Sequence, residues 1–344
     1  MDLDGLLLDA SSADELAGML VAALRLDLPT VYAPQASPPL CASLVALGLA
    51  PGAGDPAARV VSLTESNGPR PRGLVDNFSL ANALRAGVAA GGGPVILVHL
   101  AAIAREAGVA GFGQMMRVLV AETPEVDPEL LREHGVSGLL SSLSDTLHDV
   151  PTVAGNLKEN LPPTPPVPGE RSRLVFVRAR ASGAEAVCRV LKGETEPAGE
   201  CRVFGSEDEA VWSVFQGEVG DGAMLVVGGC GPRGGPGLLR LDALEHSLKE
   251  SGLEVPVLTD GLAPEDVLGP WISLFTPEAA AGGVLSLLRD GDTLRMDLTE
   301  GRIRTGAREF TSREPSEFPN REGTAYAARY ARTALPALDG AGFG

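Results

Sequence analysis

Residues 224–237 read MLVVGGCGPRGGPG, an apolar run that ends in a loop of glycine and proline around a single arginine, Arg233. Glycine lets a backbone approach a ligand closely, and proline limits how far such a loop can move. The spacing matches neither the phosphate-binding motif G-x-x-x-x-G-K-[ST] nor the dinucleotide-binding motif G-x-G-x-x-G. The stretch therefore predicts a strand and a rigid loop. Two interpretations stay open: a tight structural turn and a loop that faces a ligand.

The composition is typical of a globular protein with room for two domains. Of the 344 residues, 44% are hydrophobic and 21% are charged, and a chain of this length can bury two cores. The net charge of −17 argues against nucleic acid and anionic membranes as partners. No apolar run has the length of a membrane span, and the first residues lack a basic leader. We therefore expect a soluble, cytoplasmic protein.

The spacing of cysteine and histidine does not predict a metal site. The cysteines are far apart and form no C-x-x-C pair; they are Cys41, Cys188, Cys201 and Cys230. Such spacing indicates buried thiols rather than a zinc site or a disulfide framework. The four histidines form neither an H-x-x-x-H nor an H-E-x-x-H pair. We expect no metal.

A proline-rich segment, PPTPPVPGE at 162–170, divides the chain into two parts. Its prolines favour extended backbone and exclude helix, as in a linker. We expect an N-terminal α/β domain over residues 1–161, with a parallel sheet and many helices. Residues 171–344 are expected to form a strand-rich, barrel-like domain with peripheral helices. The predicted fold class is α/β.

Hydrophobic periodicity predicts the elements of each domain. A strand at 3–9, a helix capped by Ser12 and a strand at 29–34 together predict a βαβ unit with parallel strands. Residues 76–160 read as a run of helices. After the linker, short apolar runs bounded by Gly, Pro and Asp predict strands, with three helical segments that include PEAAAGGVLSLL at 277–288.

Several of these stretches resemble, in order along the chain, the dihydroxy-acid dehydratase and phosphogluconate dehydratase family. GPRGGPG is similar to the family's Y-E-G-P-K-G-G-P-G-M, and TDGLAPE (259–265) to T-D-G-R-F-S-G. The segment from 275 to 292 is similar to V-S-P-E-A-A-x-G-G-P-I-A-L-x-x-D-G-D. Residues 14–32 are similar to the stretch that begins C-D-K, and residues 98–109 and 152–161 match the first domain of the family.

The resemblance implies a two-domain homodimeric enzyme that removes water from 2,3-dihydroxy or sugar acids. In the family, an iron–sulfur cluster held by three cysteines acts as a Lewis acid on the departing hydroxyl. A magnesium ion, bound partly by a carbamylated lysine and carboxylates, holds the acid end of the substrate. A serine in T-D-G-R-F-S-G is proposed to take the C2 proton.

The chain departs from the family at most of the positions that carry these roles. The residues found there are Ser12, Ala13 and Asp14 for C-D-K, Gly229 and Cys230 for the tyrosine and glutamate before G-P-K-G-G-P-G, Arg233 for the lysine, and Leu262, Ala263 and Pro264 for the arginine, phenylalanine and serine. A cluster needs thiolates and magnesium needs clustered oxygens. We therefore expect no cofactor.

These replacements predict one mainly apolar cleft and a different activity. We expect a cofactor-independent enzyme, a cyclase, lyase or isomerase acting on a hydrophobic, polyketide-like natural-product intermediate, and not a dihydroxy-acid dehydratase. The alternative is a non-catalytic homodimer, a pseudoenzyme that binds or senses a small molecule.

Two sets of residues are candidates for this cleft. The predicted catalytic carboxylates are Asp14, Asp260 and Glu265, with Glu15 and Asp266 as further acid–base candidates. The predicted substrate-binding residues are Ser12, Ala13, Tyr32, Gly229, Cys230, Arg233, Leu262 and Pro264.

Overall fold

The computed structural model divides the chain into two compact units, Met1–Arg173 and Leu174–Gly344. It describes residues 3–10, 12–33, 38–163, 167–179, 182–191, 196–233, 237–265, 267, 270–305, 312–318 and 324–343. Helices and strands mix in both units, which confirms the predicted α/β class. Within the described part of the chain, no helix combines the length and apolar character needed to cross a membrane.

The first unit begins with a pair of parallel strands and is otherwise mostly helical. Its elements are β1 (Leu6–Asp9), α1 (Ala13–Leu26), β2 (Thr30–Ala33), α2 (Pro38–Leu47), α3 (Pro56–Glu65), α4 (Pro71–Leu74), α5 (Asn77–Ala89), α6 (Gly93–Glu106), α7 (Phe112–Glu122), β3 (Pro124–Val126), α8 (Pro128–Ser142), β4 (Pro151–Thr152) and β5 (Gly155–Asn156). Leu6 of β1 pairs with Thr30 of β2, and α1 connects the two strands. The predicted βαβ unit is confirmed.

Helix α5 forms the centre of the first unit. Most of its residues are buried, and it packs against α2, α6 and α7. The helix begins with a capping box, in which the Asp76 carboxylate accepts hydrogen bonds from the backbone N–H groups of Phe78 and Ser79. The Ser79 hydroxyl accepts a bond from the Asp76 N–H in return, at 2.9 Å. This cap satisfies donors that the helix itself cannot pair.

Replacing the cap of α5 should destabilise the first unit. We expect Asp76→Ala to lower the free energy of unfolding by about 1 kcal/mol, because two backbone donors lose their acceptor. Urea unfolding followed by far-ultraviolet circular dichroism measures the change. Glu65→Ala, at the exposed end of α3, is the matched control. An equal loss in both variants would contradict the capping argument.

The second unit contains most of the strands. Its elements are β6 (Glu170–Ala179), β7 (Ala184–Leu191), β8 (Ala198–Phe204), α9 (Glu207–Phe215), β9 (Ala223–Val227), α10 (Asp242–Ser251), β10 (Val257–Thr259), β11 (Trp271–Thr276), β12 (Thr293–Asp297), β13 (Arg302–Thr305) and α11 (Ala325–Thr333). The first four residues of β6, 170–173, belong to the first unit, where they pair with β3.

Eight of the described strands close into a barrel in the order β6-β7-β11-β10-β9-β8-β12-β13. The closing pair joins Arg302 of β13 to Arg178 of β6. Strands β8, β9, β10 and β11 run parallel to one another. The predicted barrel-like domain is confirmed.

The alternation of side chains along β9 shows why this apolar run forms a strand buried on both faces. Met224 and Val226 belong to the cluster that fills the barrel. Leu225 and Val227 belong to a second cluster, with residues of α9 and α10 on the outside of the barrel. A strand covered on both faces reads as a continuous apolar run rather than an alternating one.

The two tryptophans of the chain have opposite environments on the outer side of the barrel. Trp271, the first residue of β11, is 1% exposed and belongs to the outer cluster. Trp212 on α9 is 62% exposed, and its ring lies 5.7 Å from that of Phe215. Both residues belong to the second unit.

The segment PEAAAGGVLSLL does not form the helix that its composition predicted. Two short 3-10 turns, Ala279–Ala281 and Val284–Leu287, take its place. Gly282 between them has a φ of 77°, a left-handed conformation that interrupts a helix. The chain turns sharply here, at the end of the barrel where β11 finishes.

Candidate functional site

Three loops meet at one end of the barrel because the strands before them are parallel. Strands β9, β10 and β11 end at Val227, Thr259 and Thr276. The loops that follow are 228–233, 260–262 and 277–282. The carboxyl ends of parallel strands lie at the same edge of a sheet, and this edge is where ligands usually bind in α/β proteins. The side chains of these loops therefore form the candidate site.

Asp260 connects the three loops through its side chain. It is fully buried, and its carboxylate accepts hydrogen bonds from the backbone N–H groups of Gly229 at 3.2 Å, Cys230 at 2.8 Å and Ala279 at 2.9 Å. Burial raises the pKa of Asp260, and the three N–H groups act in the opposite direction because they stabilise the charged form. The structure thus brings Gly229, Cys230 and Asp260 together, and their binding and catalytic roles stay predictions.

Removing the Asp260 carboxylate should destabilise the second unit strongly. Asp260→Ala leaves three buried N–H groups without an acceptor, and we expect a loss of about 3 kcal/mol or more in the free energy of unfolding. Asp260→Asn keeps one acceptor oxygen, so its free energy of unfolding should fall less than that of Asp260→Ala. Urea unfolding measures both, with Asp221→Ala in an exposed loop as control. Equal stability of Asp260→Ala and the control would show that these bonds do not hold the loops.

A second buried carboxyl, Glu278, lies at the same end of the barrel and was not among the predicted site residues. It is 1% exposed, and neither of its carboxylate oxygens has a hydrogen-bond partner among the described residues. Its side chain packs closely on Gly231, where a Cβ atom would lie 2.6 Å from the Glu278 Cγ. Only glycine at position 231 leaves room for this carboxyl.

The surroundings of Glu278 favour its neutral form. Burial raises the pKa of Glu278, and the negative charges of Asp260 and Asp339 act in the same direction. Its own backbone N–H and the charge of Arg233 partly oppose this shift, although the N–H makes no hydrogen bond of ordinary geometry. Of the two buried carboxyls, Asp260 has three bonds that stabilise a charge, and Glu278 has none in the described part of the chain.

The stability of the protein should therefore depend on pH through Glu278. A carboxyl whose pKa is raised by folding stabilises the fold fully below its unfolded pKa, and this contribution is lost as pH rises through the folded pKa. Glu278→Gln cannot ionise, so its free energy of unfolding relative to that of the wild type should increase as pH rises from about 4.3, the ordinary pKa of glutamate, towards alkaline pH. Thermal unfolding across this range measures it, with the exposed Glu314→Gln as control. Parallel curves for wild type and Glu278→Gln would contradict the expectation.

Arg233 and the C-terminal segment lie beside these loops. The Arg233 Nε donates a hydrogen bond to the Ala334 carbonyl at 2.9 Å. The Tyr330 hydroxyl on α11 donates to the Ala341 carbonyl, and the negative charge of Glu278 contributes to a raised pKa of Tyr330, which burial mainly causes. The segment from α11 onward thus packs on the GPRGGPG loop, of which residues 234–236 lie outside the described residues.

A cleft of about 560 Å³ opens at this place within the second unit. It is lined by Arg233 and Arg332, by the turn at Ala279, Ala280, Ala281 and Gly282, and by Pro315, Ser316, Glu317, Phe318 and Ala331. The lining has two guanidinium groups and one carboxylate, and this net positive charge favours an anionic ligand. The turn that forms part of the lining follows Glu278 directly in the chain.

The remaining predicted residues of the second unit occupy less central places. Leu262 and Pro264 are buried, and the Leu262 N–H donates to the Leu239 carbonyl. Glu265 is exposed, with an oxygen 3.5 Å from the Arg240 Nη1. Asp266 lies outside the described residues. The catalytic role of Glu265 stays a prediction.

The predicted residues of the first unit lie near the beginning of α1 and on β2. Ser12 caps α1 by accepting a hydrogen bond from the Glu15 N–H, and Ala13 is the first residue of the helix. Asp14 lies on the exposed face, and its Oδ1 is 3.4 Å from the Nε2 of His99 on α6. Tyr32 on β2 is fully buried, its hydroxyl has no hydrogen-bond partner in the described part of the chain, and burial raises its pKa.

His99 is a second residue that the sequence did not single out. It is 9% exposed, and its Nε2 makes no hydrogen bond of ordinary geometry with the described residues despite the nearby Asp14 carboxylate. An imidazole and a carboxylate side by side are groups that can accept and donate protons. The predicted role of Asp14 therefore gains a neighbour of suitable chemistry.

Comparison with known proteins identifies the family to which the second unit is similar. Residues 179–341 match the family model described as dihydroxy-acid/6-phosphogluconate dehydratase C-terminal. Proteins named dihydroxy-acid dehydratase extend the similarity towards the N-terminus. That of Citrifermentans bemidjiense is 32% identical over 269 residues, covering 70% of this chain and 48% of its own length. That of Geobacter metallireducens is 32% identical over 315 residues, covering 82% and 57%.

The chain therefore belongs to the dihydroxy-acid/6-phosphogluconate dehydratase family. This confirms the family inferred from the sequence motifs. The chain spans about half the length of the curated relatives it matches.

The names of these relatives overturn the activity expected from the sequence. They are dihydroxy-acid dehydratases, so the prediction of a natural-product cyclase, lyase or isomerase is wrong, and so is the pseudoenzyme alternative. That prediction took the replaced catalytic residues as evidence for a new reaction. Replaced catalytic residues alone do not identify a new reaction.

The described residues do not fit the cluster and the magnesium ion that the family resemblance implies. No group of three or more His, Cys, Asp or Glu side chains that could hold a metal ion occurs among them. Cys188 and Cys201 are buried in the barrel core, Cys230 belongs to the outer cluster, and Cys41 lies in the first unit. Three thiolates or clustered oxygens are what these groups require.

Proposed function

We propose that the chain is a dehydratase that removes water from a small hydroxy acid. The observation that carries the proposal is the similarity to proteins named dihydroxy-acid dehydratase over 70–82% of this chain. The proposal replaces the hydrophobic substrate expected from the sequence with a small, anionic one. The homodimer expected from the resemblance is retained as part of the proposal.

The cleft at Arg233 supports an anionic substrate. Hydroxy acids carry a carboxylate at neutral pH, and guanidinium groups bind carboxylates with paired, charge-assisted hydrogen bonds. Arg233 and Arg332 both line this cleft.

The reaction itself needs groups that move protons. Removal of water from a 2,3-dihydroxy acid breaks the C2–H bond and the C3–O bond, and the resulting enol becomes a 2-keto acid. A base must take the C2 proton, and the leaving hydroxyl departs as water after gaining a proton. No step is assigned to a metal, because the described residues do not fit one.

The proposal predicts formation of 2-keto acid by the purified protein. Glycerate, a branched 2,3-dihydroxy acid and gluconate serve as substrates, and proton NMR with hydrazone absorbance measures the product. Arg233→Met should lower kcat/KM by about tenfold, because the guanidinium that binds the substrate carboxylate is lost. His246→Gln, an exposed histidine 3.3 Å from Glu250, should keep the wild-type rate.

Two outcomes would count against this function. The absence of keto acid from all three substrates, in protein with intact circular dichroism, removes the dehydratase assignment. An equal kcat/KM in Arg233→Met and wild type removes the cleft at Arg233 as the substrate site. Iron and sulfide are measured on the same samples, and we expect neither in stoichiometric amount.

A further inference from the structure

Glu278 is a buried carboxyl for which the fold provides no hydrogen bond. It is 1% exposed, and both oxygens lack a partner among the described residues. Burying a polar group without a partner costs free energy. Asp260, equally buried, is held by three N–H groups, so the lack of partners at Glu278 is not a general property of this end of the barrel. A carboxyl left in this way is suited to a partner that comes from outside the chain.

The groups around Glu278 indicate the chemistry of that partner. The charged and titratable groups whose electrostatic influence reaches it are Arg233 on the GPRGGPG loop, Asp260 after β10, Tyr330 on α11 and Asp339 near the C-terminus. Two carboxylates near a third group favour its protonated form. A protonated carboxyl has one O–H donor, and the Arg233 guanidinium has several N–H donors, of which Nε is bonded to Ala334. Both groups are donors, and they match an anion.

We propose that Glu278, in its protonated form, and Arg233 together bind the carboxylate of a small organic acid at the cleft beside Ala279. The inference rests on the proposed function for the identity of the ligand as a hydroxy acid. The carboxylate of the substrate would then be bound by hydrogen-bond donors of these two side chains. The described residues include no group of three or more His, Cys, Asp or Glu side chains that could hold a metal ion.

Binding requires a small rearrangement of the loop end. The Glu278 oxygens have almost no exposed surface in this conformation, whereas Arg233 and Ala279 line the cleft. The side chain or the turn that follows it must therefore move towards the cleft to meet the ligand. No described hydrogen bond of the carboxyl has to break for this movement, so the movement is easier than it would be for Asp260.

The test uses lactate, which has a carboxylate and a 2-hydroxyl but no hydroxyl at C3 to eliminate. Binding to the full chain is measured by calorimetry and by ligand-observed NMR, with lactate methyl ester as the neutral comparison. Three variants separate the roles: Glu278→Gln keeps an N–H donor, Glu278→Leu keeps the volume without a donor, and Arg233→Met removes the cation. Glu314→Gln, exposed and next to a cleft-lining proline, is the control.

We expect lactate to bind the wild type and the ester not to bind. Glu278→Leu and Arg233→Met should each lose about tenfold or more in affinity, and Glu278→Gln about threefold or less. Wild-type affinity should fall as pH rises through the raised pKa of Glu278, because the O–H donor is lost, whereas the affinity of Glu278→Gln should not follow that titration. Circular dichroism of each variant confirms folding.

The failures of the inference and of the proposed function are distinguishable. Lactate binding that is absent in the wild type, unchanged in Glu278→Leu, or independent of pH in the wild type overturns the inference. Keto acid formation by Glu278→Leu at the wild-type rate also overturns it, while leaving the dehydratase assignment intact. Binding that depends on Glu278 as expected, with no keto acid from any dihydroxy acid, supports the carboxylate site and refutes only the dehydratase assignment.

Discussion

The end of the barrel that carries the candidate site depends on one buried carboxylate. Asp260 follows the middle strand of three parallel neighbours, and its two oxygens bind N–H groups from the loops after β9 and β11. Backbone donors at the ends of strands have no partner in the sheet, and a buried donor without an acceptor is costly. The Asp260 carboxylate therefore supplies the hydrogen-bond acceptors that connect the three loops. The positions of Cys230 and Glu278 follow from it.

The two buried carboxyls at this end of the barrel have different surroundings. Burial raises the pKa of Asp260, while three backbone N–H donors oppose that shift and hold its side chain in place. Burial also raises the pKa of Glu278, which has no hydrogen-bond partner in the described part of the chain. Neighbouring carboxyls in different surroundings can take different roles.

Much of this arrangement was predictable from the sequence, and its limits have physical causes. The βαβ beginning and the barrel strands follow from apolar runs such as MLVV, whose side chains enter two cores. Asp260 was found through its motif. Glu278 and His99 were missed because their importance arises from missing partners in three dimensions, which no spacing encodes. An acidic residue just after the buried strand WISLFTP was the available signal for Glu278. The helix predicted at PEAAAGGVLSLL does not form, because Gly282 has a left-handed conformation that interrupts it. The prediction gave more weight to the apolar composition of the segment than to its pair of glycines.

Because of where its tryptophans lie, the protein has intrinsic tryptophan fluorescence from only one of its two units. Both tryptophans, Trp212 and Trp271, belong to the second unit, and the first unit has none. Intrinsic fluorescence excited at the indole band therefore follows the barrel unit alone, whereas circular dichroism follows both. We expect the exposed indole on α9 to be quenched by acrylamide and to emit at long wavelength, and the buried indole of Trp271 to be shielded and to emit at shorter wavelength. Collisional quenching can thus separate local opening of the barrel from loss of the helical unit, with no label added.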